Sequence, residues 1–130
     1  MFDKYIIGEG TVRNVETDGE VIGFAFDARI TYYRGLGVSM VEPFEVILDG
    51  KAIAAADLRF TLNAKTWTFA ELAGDFDARW ELTDTAVVTV LLPGGLTPGK
   101  HDLQVTEVLR VSYLPFPARS QAHRTVEVAA

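Results

Sequence analysis

The run Ile22-Gly23-Phe24-Ala25-Phe26-Asp27-Ala28-Arg29-Ile30-Thr31-Tyr32 decides the fold class. Ile22, Phe24, Phe26, Ala28, Ile30 and Tyr32 take every second position, with Gly23, Ala25, Asp27, Arg29 and Thr31 between them. This is the period-two alternation of a strand with one face inward and one face outward. Asp18-Gly19 precedes it and Thr11 to Val15 lies before that, which together read as a hairpin.

The same reading extends along the chain. Phe44, Val46 and Leu48 alternate with Glu45 and Ile47 up to the turn Asp49-Gly50. Leu58, Phe60 and Leu62 alternate with Arg59 and Thr61, and Asn63-Ala64-Lys65 turns the chain into Thr66-Trp67-Thr68-Phe69. The stretch Lys51 to Ala56 reads as a variable turn. Ala86 to Leu92 is a continuous apolar run bounded by Pro93-Gly94-Gly95, which reads as a central strand buried on both faces. After the turn Leu96-Thr97-Pro98-Gly99 comes the longest strand, His101 to Tyr113, and Thr125 to Val128 closes the chain as a short one. Only Ala70 to Trp80 has helical character, for one turn at most given Gly74. Eight or nine strands with closely spaced turns predict an all-β fold, a single antiparallel β-sandwich domain over residues 1–130. A closed barrel is the alternative architecture. An α/β fold is disfavoured, because no segment can serve as a crossover helix.

Two stretches do not fit an ordinary surface loop. Tyr32-Tyr33-Arg34-Gly35-Leu36-Gly37-Val38-Ser39-Met40-Val41-Glu42-Pro43 has the Gly and Pro content of a loop but carries aromatics and aliphatics. Ser112-Tyr113-Leu114-Pro115-Phe116-Pro117 is similar. Loops are usually small and polar, so such segments must bury themselves against their own sandwich, a ligand or another chain. Tyr33 and Phe116 sit at strand ends beside Gly or Pro and are candidates for exposure. Trp67 and Trp80 default to the core. Arg34, next to aromatics, has the character of an interface anchor, and an ordinary surface Arg is an equal reading.

Composition narrows the partners. The 130 residues carry 12 Lys+Arg and 18 Asp+Glu, a net charge of −6, and the basic residues are scattered. Nucleic acid and anionic membranes need a clustered basic face and are disfavoured as partners. There is no cysteine, hence no disulfide framework and no thiolate metal site. The start, Met1 to Gly8, lacks a long apolar run, so no signal peptide is expected, and a cytoplasmic location is.

Catalytic equipment is sparse. His101 and His123 have no metal-ligand spacing, and His101 at a strand start reads as a hairpin-capping residue. Glu42, Glu45, Asp75 and Asp77 are available carboxylates, but nothing marks a glycosidase pair among them. Glu107 falls on the apolar face of the strand from His101 to Tyr113. A bulge that shifts the register is the favoured reading, and a buried functional carboxylate the lesser one. Gly35-x-Gly37 lacks the following helix of a phosphate-binding loop. No residue of this chain is assigned a catalytic or metal-binding role.

Several segments together resemble one family. They are Met1-Phe2-Asp3-Lys4-Tyr5-Ile6-Ile7, Tyr32-Tyr33-Arg34-Gly35 followed by Ser39-Met40-Val41, Leu96-x-Pro98-Gly99-x-His101, and Arg110-Val111-Ser112-Tyr113-Leu114-Pro115-Phe116-Pro117. The chain resembles the small β subunit of bacterial C-glycoside deglycosidases. The resemblance implies a complex with a larger catalytic α subunit, similar to a xylose-isomerase-type barrel and carrying a divalent metal, often manganese. It also implies cleavage of the C–C bond between a sugar's anomeric carbon and an aromatic aglycone, after a separate oxidoreductase has made the 3-oxo sugar. The 3-oxo group acidifies the neighbouring C–H, so that loss of this proton to a base opens an elimination route for a bond with no oxygen leaving group. The metal ligands and the acid and base would then belong to the α subunit. Tyr32, Tyr33, Arg34, Gly35, Met40, Tyr113, Pro115, Phe116 and Pro117 are expected at the subunit interface or near the substrate. The alternative is a stand-alone carbohydrate-binding sandwich that stacks sugars on its aromatics.

Overall fold

A computed structural model describes residues 6–32, 35–111 and 115–128. In chain order the elements are β1 (Arg13–Thr17), β2 (Glu20–Ala28), β3 (Leu36–Gly37), β4 (Glu45–Leu48), β5 (Lys51–Ile53), β6 (Leu58–Leu62), β7 (Lys65–Thr68), α1 (Phe69–Leu72), β8 (Arg79–Trp80), β9 (Ala86–Leu91), β10 (Gly99–Leu109) and β11 (Ala118–Val128). Short 3-10 turns lie at Val38–Met40 and Ala55–Asp57. A five-stranded sheet in the order β1-β2-β9-β6-β7 faces a four-stranded sheet in the order β11-β10-β4-β5, and β3 pairs with β8 in a small ribbon at one end. Every strand pairing is antiparallel. The fold is an all-β sandwich, as the alternation predicts.

The alternating residues make the core. Phe24, Phe26, Phe60, Val88 and Val90 of one sheet meet Val46, Leu103, Val105 and Leu109 of the other, all buried. Phe44, just ahead of β4, crosses the gap to Phe60 and Trp80, with ring centroids 6.3 and 6.4 Å away. Trp67 and Trp80 are core residues. Tight turns sit where the sequence marks them. Asp18-Gly19, Asp49-Gly50 and Asn63-Ala64 all have positive φ, the signature of two-residue hairpin turns whose twist suits the flanking strands. The single helical turn is held by a capping box: Thr68 Oγ1 accepts from Glu71 N–H, and the Glu71 carboxylate accepts from Thr68 N–H. Gly23 in β2 admits no side chain, because a Cβ there would lie 1.9 Å from the Val90 carbonyl oxygen.

The structure corrects the sequence reading in six places. The strand expected from His101 to Tyr113 is β10, which starts at Gly99 and ends at Leu109. The final strand is β11, eleven residues long rather than the four of Thr125 to Val128. Lys51 to Ala56 is not simply a turn, since Lys51–Ile53 forms β5 against β4. β9 is central but not buried on both faces: Ala86, Val88 and Val90 are buried while Val87, Thr89 and Leu91 are half-buried. β2 ends at Ala28, with Ile30 and Tyr32 continuing inward beyond it. The bulge expected at Glu107 is absent. β10 and β11 run in unbroken register from Gly99 opposite Val128 to Leu109 opposite Ala118, and Glu107 is fully buried. Its burial is compensated by hydrogen bonds rather than avoided by a register shift.

Candidate functional site: the loop end of the sandwich

The described parts of the two apolar stretches meet at one end of the sandwich, where Pro43 and Pro117 line one groove. After β2 the chain turns through residues 35–42 and packs along the far end of β10. Glu42 N–H donates to the Val108 carbonyl at 2.9 Å, Arg110 N–H donates to the Met40 carbonyl at 2.7 Å, and Val41 bridges Leu109. Upstream, Thr31 reaches the same strand. Its N–H and its hydroxyl both donate to Glu107 Oε1, at 2.8 and 2.9 Å. The first loop is thus fastened to the strand that leads into the second stretch.

Part of the loop's apolar character is used within the sandwich. Val38 and Val41 are buried in the core, and Tyr32 and Leu36 are half-buried against it. The other side of the loop is fixed by the β3–β8 ribbon, where Leu36 faces Trp80 and Gly37 faces Arg79, and by Val38 N–H donating to the Ala78 carbonyl at 3.0 Å. Gly35 is needed for this approach. A Cβ on it would stand 2.8 Å from the Trp80 carbonyl oxygen and 2.7 Å from Glu81 Oε2.

Between these segments lies a cleft of about 300 Å³ lined by Gly35, Leu36, Met40, Arg79, Arg110 and Val111. Both arginines are held in place. Arg79 Nε pairs with Glu81 at 2.8 Å and its Nη2 donates to the Gly35 carbonyl; Arg110 Nε pairs with Glu42 at 3.3 Å and its Nη2 donates to the Ser39 carbonyl. Around the corner a shallower groove of about 590 Å³ runs over the outer face of the four-stranded sheet, past Pro43, Glu45, Ile47, Val108, Pro117 and Arg119. Glu45 and Arg119 pair across it at 2.5 Å, which holds the guanidinium more firmly protonated than usual.

Of the residues singled out from sequence, Gly35 and Met40 line the cleft, Tyr32 lies half-buried beneath the loop, and Pro115, Phe116 and Pro117 are exposed. Phe116 is 65% exposed. Tyr33, Arg34 and Tyr113 lie outside the described residues. Glu107, weighed from sequence as a bulge or a buried carboxylate, is buried, whereas Arg79 was not singled out and nothing local to it announces its place opposite Gly37.

The titratable residues elsewhere are structural. His101 Nδ1 hydrogen-bonds Asp49 Oδ2 at 2.8 Å and its Nε2 hydrogen-bonds the Thr97 carbonyl at 2.8 Å. The Asp49 contact, then the Thr97 one, raises the His101 pKa above its ordinary value. Asp49 is lowered in turn by His101 and by the N–H of Asp102, so the pair pins the β4–β5 turn to β10. Asp75 accepts from Lys65 Nζ, the N–H groups of Ala78 and Asp77, and Trp67 Nε1, which hold its carboxyl well below the usual range. Glu42 and Glu45 are engaged by Arg110 and Arg119. None of these is arranged as an acid–base pair. Among the described residues no three His, Asp or Glu side chains gather so as to hold a metal ion, and no helix is long and apolar enough to cross a membrane.

Comparison with known proteins places the chain in one family. The profile of the family described as C-glycoside deglycosidase beta subunit matches residues 2–113. A C-glycoside deglycosidase beta subunit of Eubacterium cellulosolvens is 36% identical over 114 residues, covering 87% of this chain and 78% of that protein. A 3′-dehydrocarminate deglycosidase beta subunit of a Microbacterium species is 40% identical over 94 residues, covering 72% and 70%. A C-glycoside deglycosidase beta subunit of Microbacterium trichothecenolyticum is 34% identical over 117 residues, covering 88% and 82%.

Proposed function

Because this chain belongs to the C-glycoside deglycosidase β-subunit family, we propose that it is the small, non-catalytic subunit of a carbon–carbon lyase complex. The complex cleaves the bond between the anomeric carbon of a 3-oxo sugar and an aromatic aglycone. Its partner is a larger α subunit of xylose-isomerase-like barrel fold, which supplies a divalent metal, manganese in our reading, to stabilise charge on the 3-oxo sugar when a proton is removed beside it. The class of substrate is supported by a relative whose name gives 3′-dehydrocarminate.

One observation carries the division of labour. The loop at residues 35–42 is fastened to the end of β10 through Glu42, Met40 and Arg110, so two apolar segments form one presented end with Phe116 beside it. A rigid apolar end suits a protein partner, because ordered side chains lose little entropy on docking. In the complex this end closes against the α subunit, excludes water from the reacting centre and shapes the space for the aglycone. The sugar-stacking alternative loses Trp67 and Trp80, which are buried in the core, and keeps the exposed Phe116.

Co-expression with a candidate barrel-fold α subunit, followed by size-exclusion and an assay on a 3-oxo C-glycoside, tests the reading. Co-elution and aglycone release only with both chains present support it. Activity of the α subunit alone at the same rate overturns it.

A further inference from the structure

Four strands form the edges of the two main sheets. Three are protected in ordinary ways. β5 has three residues, β7 has four and runs into a helical turn, and β1 has five with a register shift between Val15 and Glu16. Short or bulged edges discourage pairing with another chain. β11 differs. It pairs with β10 over all eleven residues without a shift, contains no proline, and no described strand pairs with its other side. That leaves a row of backbone donors and acceptors about 37 Å long, bordered by residues 7–12 beside residues 124–127.

The outward residues of β11 are Arg119, Gln121, His123, Thr125 and Glu127, all exposed. Charges on an edge usually discourage pairing, but these are placed antisymmetrically about His123, although Arg119 also pairs with Glu45 and His123 with Asp102 within the chain. When two antiparallel strands meet about a two-fold axis, each residue faces the one equally far on the other side of the centre. Centring the axis on His123 puts Arg119 opposite Glu127 of the second copy, Gln121 opposite Thr125, and His123 opposite itself. On the inner face the same register sets the bulky Arg124 against the small Ala122. His123 is also the midpoint of the strand, so the charge-matched register keeps the whole strand in the ladder. A shift of two residues in sequence loses the Arg–Glu match.

We infer that β11 is a self-association edge that joins two copies of this chain, antiparallel, about a two-fold axis at His123. The two four-stranded sheets then form one eight-stranded sheet, with about ten to twelve backbone hydrogen bonds across the junction. The edge starts beside the apolar end proposed for the α subunit, where Arg119 and Pro117 line one groove, and runs away from it to Val128. The inference does not depend on the function assigned to that end.

The chain has no cysteine, so a single introduced thiol reports the register. In the proposed pairing residue 123 meets its own copy with Cβ atoms about 5 Å apart. Residue 121 lies four positions, about 13 Å, from its copy. His123→Cys is therefore expected to form a disulfide-linked dimer under mild oxidation. Gln121→Cys and Thr125→Cys are each expected to stay monomeric on a denaturing gel, and the double variant Gln121→Cys/Thr125→Cys to cross-link. The trapping is done on the purified complex with the α subunit and on the full chain alone. In parallel, sedimentation of the full chain measures Glu127→Arg, expected to weaken the dimer at least tenfold, and Arg119→Glu/Glu127→Arg, expected to recover most of it. Equal cross-linking of the three single variants, or none, overturns the inference. So does trapping in the free chain that disappears in the complex, which would give this edge to the α subunit.

Discussion

Thr31 and Glu107 are joined by two hydrogen bonds, from the Thr31 N–H and hydroxyl to one carboxylate oxygen, at 2.8 and 2.9 Å. The contact links the chain leaving β2 to the end of β10, joining a half-buried Thr31 to a fully buried Glu107. It sits beneath the loop that carries the candidate interface. Removing the acceptor leaves two donors with no partner, and a buried donor without one costs more than the bond itself contributes. Glu107→Ala is therefore expected to lower stability by about 2–3 kcal/mol. Glu107→Gln keeps one carbonyl acceptor and should cost clearly less. Urea unfolding at pH 7 of the three proteins makes the comparison. Equal midpoints for the Ala variant and the parent would remove the contact from the account.

The Asp49–His101 pair gives stability a pH dependence whose sign is fixed. His101 titrates higher in the folded chain than its ordinary 6.5. Its contribution is fully present below that value and is lost as pH rises through the raised folded pKa. Asp49 titrates below its ordinary 3.8, so its contribution is present above that value and is lost as pH falls through the lowered one. The pair lies at the surface, where solvent screens it, so the effect should be small. Melting temperatures of the parent and of His101→Gln, followed from pH 5 to pH 9, should differ most at the acid end and converge at the alkaline end. A gap that widens with pH would contradict the assignment.

Gly35 carries a steric prediction. Its missing side chain lets the loop approach the carbonyl of Trp80. The Glu81 carboxylate can swing away from an added methyl, but the Trp80 backbone is tied into the β3–β8 ribbon and cannot. Gly35→Ala should cost about 1–3 kcal/mol, as overpacking does. It should also weaken assembly with the α subunit beyond what the stability loss explains, because the ribbon shapes the cleft. A variant that melts and assembles like the parent would show that the approach is not required.

Strand periodicity made the sandwich legible, and the failures have physical causes. β11 was recognised only at its end because its inner face carries Ala118, Ser120, Ala122 and Arg124 before the first branched residue, Val126. Alternation needs apolar contrast, and this strand has little. At Glu107 the period was right and the residue type misled. A carboxylate in the core is acceptable here only because Thr31, 76 residues away in sequence, supplies two donors. No local pattern reveals such a partner. The apolar character of the loop has a divided meaning: Val38 and Val41 belong to the chain's own core, while Met40 lines the cleft. That residues 38–42 lie along residues 108–111 follows from the pairing of β10, which composition does not encode.

Phe116 separates a contact residue from a structural one. It is 65% exposed and sits between Pro115 and Pro117, which restrict the backbone around it. Few internal contacts depend on an exposed ring, so Phe116→Ala should change folding stability by less than about 0.5 kcal/mol. Prolines on both sides mean that little backbone freedom is lost when the ring docks, which favours it as an anchor. A true anchor costs roughly 2 kcal/mol or more on truncation, about a 30-fold loss of affinity. Calorimetric titration of the α subunit with parent and variant gives the binding change, and melting curves of the free chain give the stability change. The interface reading requires the first to move and the second to stay. Unchanged affinity would place the contact elsewhere on the molecule, and a large drop in melting temperature would mean the ring supports the fold. With saturating variant, turnover near the parent's would assign Phe116 to docking alone, and reduced turnover would set it beside the aglycone.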